Sequence, residues 1–477
     1  MKKRQKNKLL YTLITSFILT FTMLTTDAVA NSEDISSENI DLVILFDEGT
    51  IDENVKDIIT NSGGEIVREF PELGGIEVEC TSDLITTIQS QDSVQSLAPN
   101  HVIKLSDEKT EKFVEPEGDS NIASADLYEE HQWDIKRVTN NGESFNLESG
   151  NHDVVVGIID TGLDTTHPDL VNNFLGGKNL VPANFKNDSD ETGDVNDIED
   201  RLGHGTNIAG TIAANGRTKG VAPNIGFKSY RIFNQYEETN ATICASAIMA
   251  ATNDGVKVIN LSISCYELKG KCYWTDPKTG IEYKQNDMAE YSLFKRAIKY
   301  AINNGVIVVA AAGNESQDCA NRKELTKYLN KLYGKYGFKY DGLTYQAPAT
   351  VKGVITVAAT DKEDKLALYS NYGEDFIDIS APGGYISETS NINDMCFTTD
   401  IYSGYTFTQG TSLATPKVSA VAALIICKDK NLTPKEVGKK IYKTADKLDD
   451  NNTSKYYGAG MVNAYNAMQW ITSKSSY

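Results

Sequence analysis

Basic residues are scarce in this chain: 46 lysines and arginines stand against 66 aspartates and glutamates, a net charge of −20 over 477 residues. That balance argues against nucleic acid and anionic membrane as partners and favours a basic peptide. Histidine is scarcer still, five in all, and only His152, His167 and His204 lie beyond Trp133. No internal repeat or low-complexity tract is visible, and after residue 30 no segment is apolar enough to span a bilayer. The seven cysteines show no metal-ligand spacing. Only Cys265 and Cys272 are close in sequence, which leaves a bridge between them open in an exported protein; Cys244 and Cys427 fall on helical apolar patterns as buried small side chains. With 40% hydrophobic and 23% charged residues, the disordered and fibrous classes are excluded.

What is present begins with a secretory signal over residues 1–30. Lys2, Lys3, Arg4, Lys6 and Lys8 precede the mostly apolar stretch Leu9 to Leu24, and Ala28-Val29-Ala30 closes it. The stretch is short for a bilayer and carries Thr12, Thr15, Ser16, Thr20 and Thr22, which favours cleavage over anchoring. Removing its five basic residues and one acidic residue takes the net charge to −24. The mature protein is therefore expected to be secreted, with no stable membrane insertion.

Residues 31–105 repeat a strand and helix pattern, with Leu42 to Phe46 and Glu65 to Thr81 as strand material and Val55 to Thr60 and Leu84 to Ile88 as helices. Residues 106–130 are acid-rich, carry Pro116 and Gly118, and read as an exposed linker. From 131 to 477 apolar strand runs alternate with helices, the signature of an α/β domain with a mostly parallel sheet covered on both faces. The strands are placed at Val154 to Ile159, Gly226 to Ile232, Val256 to Ile263, Val306 to Ala311 and Val354 to Ala358.

Four short segments carry chemistry. Asp160-Thr161-Gly162 ends the first strand, at the sheet edge where open α/β folds place their sites. Alone it is ambiguous, because aspartic proteases also use Asp-Thr-Gly; they need two carboxylates sharing a proton, and no second copy exists here. Gly203-His204-Gly205-Thr206 opens a helix whose Ile208, Ala209, Ile212 and Ala213 form an apolar stripe. Gly410-Thr411-Ser412 opens another, so the Ser412 hydroxyl sits at a helix N-terminus. A serine there is ordinarily a cap. Asn314, in Ala312-Gly313-Asn314-Glu315, ends a further strand and offers a side-chain N–H to an oxyanion, to which the Ser412 backbone N–H would add a second. A serine hydroxyl becomes a nucleophile only beside an imidazole base oriented by a carboxylate, and all the parts are present.

Together these segments resemble the subtilisin-like serine protease family, from Trp133 to the C-terminus. The resemblance implies a subtilisin-like fold, an acyl-enzyme endopeptidase, and Asp160, His204, Ser412 and Asn314 in catalytic roles. It also makes residues 31–105 look like the family's small α+β, ferredoxin-like propeptide, a chaperone and inhibitor, with processing inside 106–130. The peptide substrate would lie as an extended strand with Ser262, Ile263 and Ser264 on one wall of the P1 pocket and Ala312 and Gly313 on the other. Phe233 to Thr239 would form the opposite edge. Glu315 is the candidate for drawing in a basic side chain.

Several features depart from the digestive subtilisins. The loop Asn215 to Lys219 is too short for their calcium loop, Asn207 and Lys417 replace usual histidines, and two insertions, Cys265 to Asp287 and Ser316 to Tyr345, border the cleft. The chain looks most like the lantibiotic leader peptidases of Gram-positive bacteria, which cut a precursor peptide after a basic residue. The alternatives are a broad-specificity extracellular protease and a catalytically silent binding module on the same fold. No cofactor is required for the chemistry. A structural calcium is left open at Asp188, Asp190, Glu191, Asp194, Asn196 and Asp197, against the reading of those residues as a solvated loop.

Overall fold

The computed structural model describes residues 39–106, 108–114, 126–275, 280, 282–287, 289–387, 391–448 and 454–474. The signal expected at 1–30 lies outside them, as does part of the expected processing segment. Ile40 to Phe46 is apolar at nearly every position, more than a strand with one covered face requires. It forms β1 (Asn39–Leu45), followed by α1 (Glu53–Asn61), β2 (Glu65–Phe70), β3 (Gly75–Thr81), α2 (Leu84–Gln89) and β4 (Ser96–Pro99). The four strands make an antiparallel sheet in the order β2-β3-β1-β4. Leu42 and Ile44 pack with Val55, Ile59 and Ile88 of the two helices. Val43 and Leu45, on the other face, join a cluster that holds Ala289 and Leu293 of the larger layer. One strand with both faces covered thus explains the continuous apolar run and ties the small α+β layer to the rest.

After β5 (Val102–Lys104), β6 (Thr110–Lys112), α3 (Leu127–His131) and α4 (Trp133–Thr139) the chain enters the large layer. Its first half comprises β7 (Val155–Asp160), β8 (Phe174–Asn179), α5 (His204–Ala213), β9 (Gly226–Arg231), β10 (Glu238–Asn240), α6 (Ala241–Asn253) and β11 (Val258–Leu261). Then come β12 (Cys265–Thr275), β13 (Glu282–Asp287), α7 (Ala289–Asn303), β14 (Ile307–Ala311), α8 (Arg322–Tyr333) and β15 (Phe338–Ala347). The last part holds β16 (Ile355–Thr360), β17 (Ile379–Pro382), β18 (Cys396–Asp400), β19 (Gly404–Thr408) and α9 (Thr411–Lys428). Seven strands form a parallel sheet in the order β17-β16-β14-β11-β7-β9-β8. Val156, Ile158, Val258 and Val309 face one core, and Ile159, Ile259, Leu261 and Val308 face the other. Burial on both faces is why these strands read as solid apolar runs. Helix α9, long and apolar enough to cross a membrane by composition, lies in the middle of this core.

The two insertions form one structure. β12, β13 and β15 make a three-stranded antiparallel sheet, and α8 packs on it through Leu329 against Leu268, Cys272 and Tyr340. Cys265 and Cys272 sit seven residues apart on the single strand β12, about 23 Å at the usual strand rise. That separation rules out the bridge left open above, and no disulfide joins the described cysteines.

The segment expected to be an exposed linker is also placed differently. β5 pairs antiparallel with β10, β6 pairs antiparallel with β19, and the Glu108 side chain between them is only 6% exposed. Its acidic composition concealed this, because the partners are strand edges far away in sequence.

Lys417 of α9 is fully buried and pairs with Asp134 of α4 at 2.8 Å. Its ammonium also donates to the Leu413 carbonyl at 3.0 Å. Burial alone would lower the Lys417 pKa, but Asp134 and Cys396 together, through charge and hydrogen bonds, outweigh it and raise it. Breaking a buried pair strands the remaining charge, so Asp134→Ala should cost about 3–5 kcal/mol in urea unfolding. Asp134→Leu combined with Lys417→Met should lose much less than either single change.

Candidate active site

Asp160 is the last residue of β7 and is fully buried. Its Oδ1 accepts from the Thr161 backbone N–H at 2.8 Å and from His204 Nδ1 at 2.6 Å. That bond fixes the imidazole with its Nε2 turned outward. The approach of α5 to β7 depends on glycine at two places. A Cβ at Gly205 would overlap the Gly162 carbonyl, and one at Gly162 (φ +123°) would sit 2.7 Å from the Ile198 carbonyl. The first turn of α5 is held by a residue that sequence reasoning missed, Asp200. Its carboxylate accepts from the backbone N–H groups of Leu202, Gly203 and Thr206 and from the Thr161 and Thr206 hydroxyls. A carboxylate at a helix N-terminus both caps and favours the dipole. The available signal was an aspartate four residues ahead of His204, hidden at the end of an acid-rich loop.

Ser412 is the second residue of α9 and is buried. Its carbonyl accepts from the Ser262 hydroxyl at 2.9 Å, and Ser262 in turn receives Asn260 Nδ2 at 3.0 Å. Ser262, expected to touch substrate, therefore spends its hydroxyl positioning the turn that carries Ser412. Asn314 follows β14, and its Oδ1 accepts from the Thr411 N–H at 2.9 Å and the Thr411 hydroxyl at 2.8 Å. This fixes the amide orientation and turns Nδ2 toward the Ser412 hydroxyl. Thr411 was not singled out from the sequence, although it sits inside the Gly-Thr-Ser run.

Between these groups lies Glu108. Its Oε1 accepts from the Ser412 hydroxyl and from Asn314 Nδ2 at 3.2 Å, and its Oε2 lies 3.7 Å from His204 Nε2. Burial raises the Glu108 pKa, partly offset by His204, Ser412 and Asn314. Burial would lower His204, but the Asp160 charge and hydrogen bond outweigh it, with a smaller contribution from Glu108, and push it up to about 9.

A cavity of about 180 Å³ is lined by Ser264, Tyr266, Glu315, Tyr328 and Tyr333 from the large layer and by Ser106 from the segment after β5, and Glu315 follows Asn314 directly in the chain. Glu315 Oε2 accepts from the Tyr266 hydroxyl and from Asn371 Nδ2, each at 2.7 Å. Ala312 and Gly313, expected as a pocket wall, are tied to the same Asn371 but do not line this cavity: Asn371 Nδ2 donates to the Ala312 carbonyl and its backbone N–H to the Gly313 carbonyl, both at 2.9 Å. Ile263 is buried in the core beneath. Tyr266 and Tyr328 come from the insertions, so their place in this pocket was not legible before the insertions were seen to fold together.

The acidic loop ahead of His204 is not simply solvated. Glu191 is buried and receives both terminal nitrogens of Arg231 at 2.6 and 2.8 Å, and Asp197 receives Arg231 at 3.2 Å and Arg201 at 2.8 Å. Asp188 and Asp190 both accept from Gln235 Nε2. Among the described residues no group of three or more His, Cys, Asp or Glu side chains is placed to hold a metal ion.

Comparison with known proteins agrees with this geometry. The nisin leader peptide-processing serine protease of Lactococcus lactis is 39% identical over 315 residues, 63% of this chain, which spans 44% of that relative's length. The epidermin leader peptide-processing serine protease of Staphylococcus epidermidis is 31% identical over 87% of this chain and 90% of its own length. The crystal structure of the epidermin leader peptide processing protease from Staphylococcus aureus superposes with a TM-score of 0.75 at 30% identity, covering 91% of this chain and 98% of that one. Residues 151–460 match the subtilase family as a whole, and the chain belongs to that family as a subtilisin-like serine endopeptidase.

Proposed function

We propose that the protein is an exported maturation protease that removes the leader from a lantibiotic precursor peptide after a basic residue. The observation that carries this reading is the pocket holding Glu315, the residue after Asn314, where Tyr266 and Asn371 fix the carboxylate among tyrosine rings. Two neutral donors on one carboxylate oxygen fix its position, so the pocket is suited to a guanidinium or ammonium. The two leader-processing relatives support the same substrate class. The insertions narrow the cleft on that side, which favours a restricted diet over general digestion.

In the proposed reaction His204 takes the Ser412 proton while Asp160 holds its tautomer and stabilises the imidazolium. Ser412 Oγ attacks the peptide carbonyl, and the oxyanion is met by Asn314 Nδ2 and the Ser412 N–H. The imidazolium gives its proton to the leaving amine, and water, deprotonated by the same imidazole, hydrolyses the acyl-enzyme. Residues 1–30 would be removed on export and residues 31–105 after folding, within 106–130.

Two outcomes follow. Asn314→Leu should lower kcat by roughly 10² to 10³ with KM nearly unchanged; steady-state kinetics showing a raised KM at intact kcat would remove Asn314 from the oxyanion site. Profiling the mature enzyme on a peptide library should show cleavage after Arg or Lys, and Glu315→Gln should lose about 30-fold of that preference, roughly 2 kcal/mol. Casein digestion with no preference for a basic residue would instead favour the nutritional protease.

A further inference from the structure

The strap, described at residues 102–106 and 108–112, crosses the active site between two strand pairings. On one side Val102, Ile103 and Lys104 lie opposite Asn240, Thr239 and Glu238, and the Leu105 N–H donates to the Glu237 carbonyl at 3.0 Å. On the other side Thr110, Glu111 and Lys112 lie opposite Thr408, Phe407 and Thr406. Phe113 anchors that end against Phe397 and Phe407, with ring centroids 5.3 and 6.3 Å away. Strand addition of this kind gives affinity through the main chain whatever the side chains are. Ser106 reaches the rim of the Glu315 pocket. At the centre, however, the carboxylate of Glu108 stands where the reacting carbonyl has to be.

Three features make that contact more than a filler. First, a carboxylate oxygen receives both Asn314 Nδ2 and the Ser412 hydroxyl, the oxyanion donor and the nucleophile that otherwise meet a substrate carbonyl. Second, His204 Nε2 is buried and makes no hydrogen bond: the Ser412 hydroxyl is directed to Glu108, so the bond by which a base activates its serine is replaced. Third, Gly410 leaves the space, since a Cβ there would overlap Glu108 Oε1. The His204 imidazole lies 3.7 Å from the second oxygen.

We infer that Glu108 is an internal carboxylate latch, which occupies the oxyanion position, draws the Ser412 hydroxyl away from His204, and holds the unprocessed chain dormant until the strap shifts or is cut. The small α+β layer then serves to dock the strap, and the inhibitory group lies beyond it in the chain. Release leaves the two flanking strand pairings available to an incoming peptide. This rests on Ser412 being the nucleophile, as proposed above.

The test uses the intact chain and a fluorophosphonate probe, which reports the reactivity of Ser412 without any peptide cleavage. Glu108→Ala should label at least 10-fold faster than the unaltered chain and should convert to the mature form at least 10-fold faster, with no conversion when Ser412→Ala is added. Equal or slower labelling of Glu108→Ala overturns the latch. Absence of labelling in both proteins defeats the assignment of Ser412 instead, which separates the two failures. Because a change in the strap could disturb folding, a second measurement uses mature enzyme and a synthetic peptide of residues 102–112. That peptide should inhibit hydrolysis of a fluorogenic substrate at least 10-fold more tightly than its Glu108→Ala counterpart, and equal inhibition constants would overturn the proposal independently.

Discussion

The hydrogen bond from His204 Nδ1 to Asp160 at 2.6 Å is the contact to which the rest of the site is built. It joins the end of a central parallel strand to the first turn of a buried helix, two elements that can approach so closely only because Gly162 and Gly205 carry no side chain. Asp200 then ties the same helix turn to Thr161, the residue after Asp160. Each of these bonds lies where water is excluded, so the imidazole has one orientation and its outer nitrogen one direction. Ser412 and Asn314 come from other elements, α9 and the segment after β14, and Thr411 links them to each other.

Charge is managed by pairing throughout a strongly acidic molecule. Lys417 with Asp134 and Arg231 with Glu191 are buried pairs whose value lies less in net stability than in where they place backbone. The first connects α4 to the helix bearing Ser412; the second draws the acidic loop against β9 beside the His204 side of the site. Glu315 is handled differently, with hydroxyl and amide donors, which suits a group meant to meet a positive charge from outside. Glu108 is a third case, a carboxylate desolvated against the groups that perform catalysis, so its presence and turnover are mutually exclusive.

The parallel sheet was legible because strands buried on both faces leave solid apolar runs such as Val154 to Ile159, and Asp160, His204, Asn314 and Ser412 were legible because glycine punctuation marks where strands and helices meet. Other parts were not. β17 is only four residues long, and β8 carries Gly176 and Gly177 with Lys178, which breaks any alternation. β12 and β13 form a hairpin inside Cys265 to Asp287, but β12 also pairs with β15 across 64 to 82 residues, and nothing local announces that second partner. Asp200 and Glu108 were missed for a common reason: in an acid-rich segment a carboxylate that accepts backbone or catalytic hydrogen bonds looks the same as one that faces water.

The central claim is that the catalytic base is held between two carboxylates in the unprocessed chain, one that orients it and one that silences it. Titration of the His204 imidazole by ¹⁵N NMR tests this most directly, in the Ser412→Ala chain and in the same chain with Glu108→Ala. With Glu108 in place the imidazole should remain protonated up to about pH 9, and without it the midpoint should fall, since one of the two nearby negative charges is gone. Coincident titration curves in the two proteins would contradict the account.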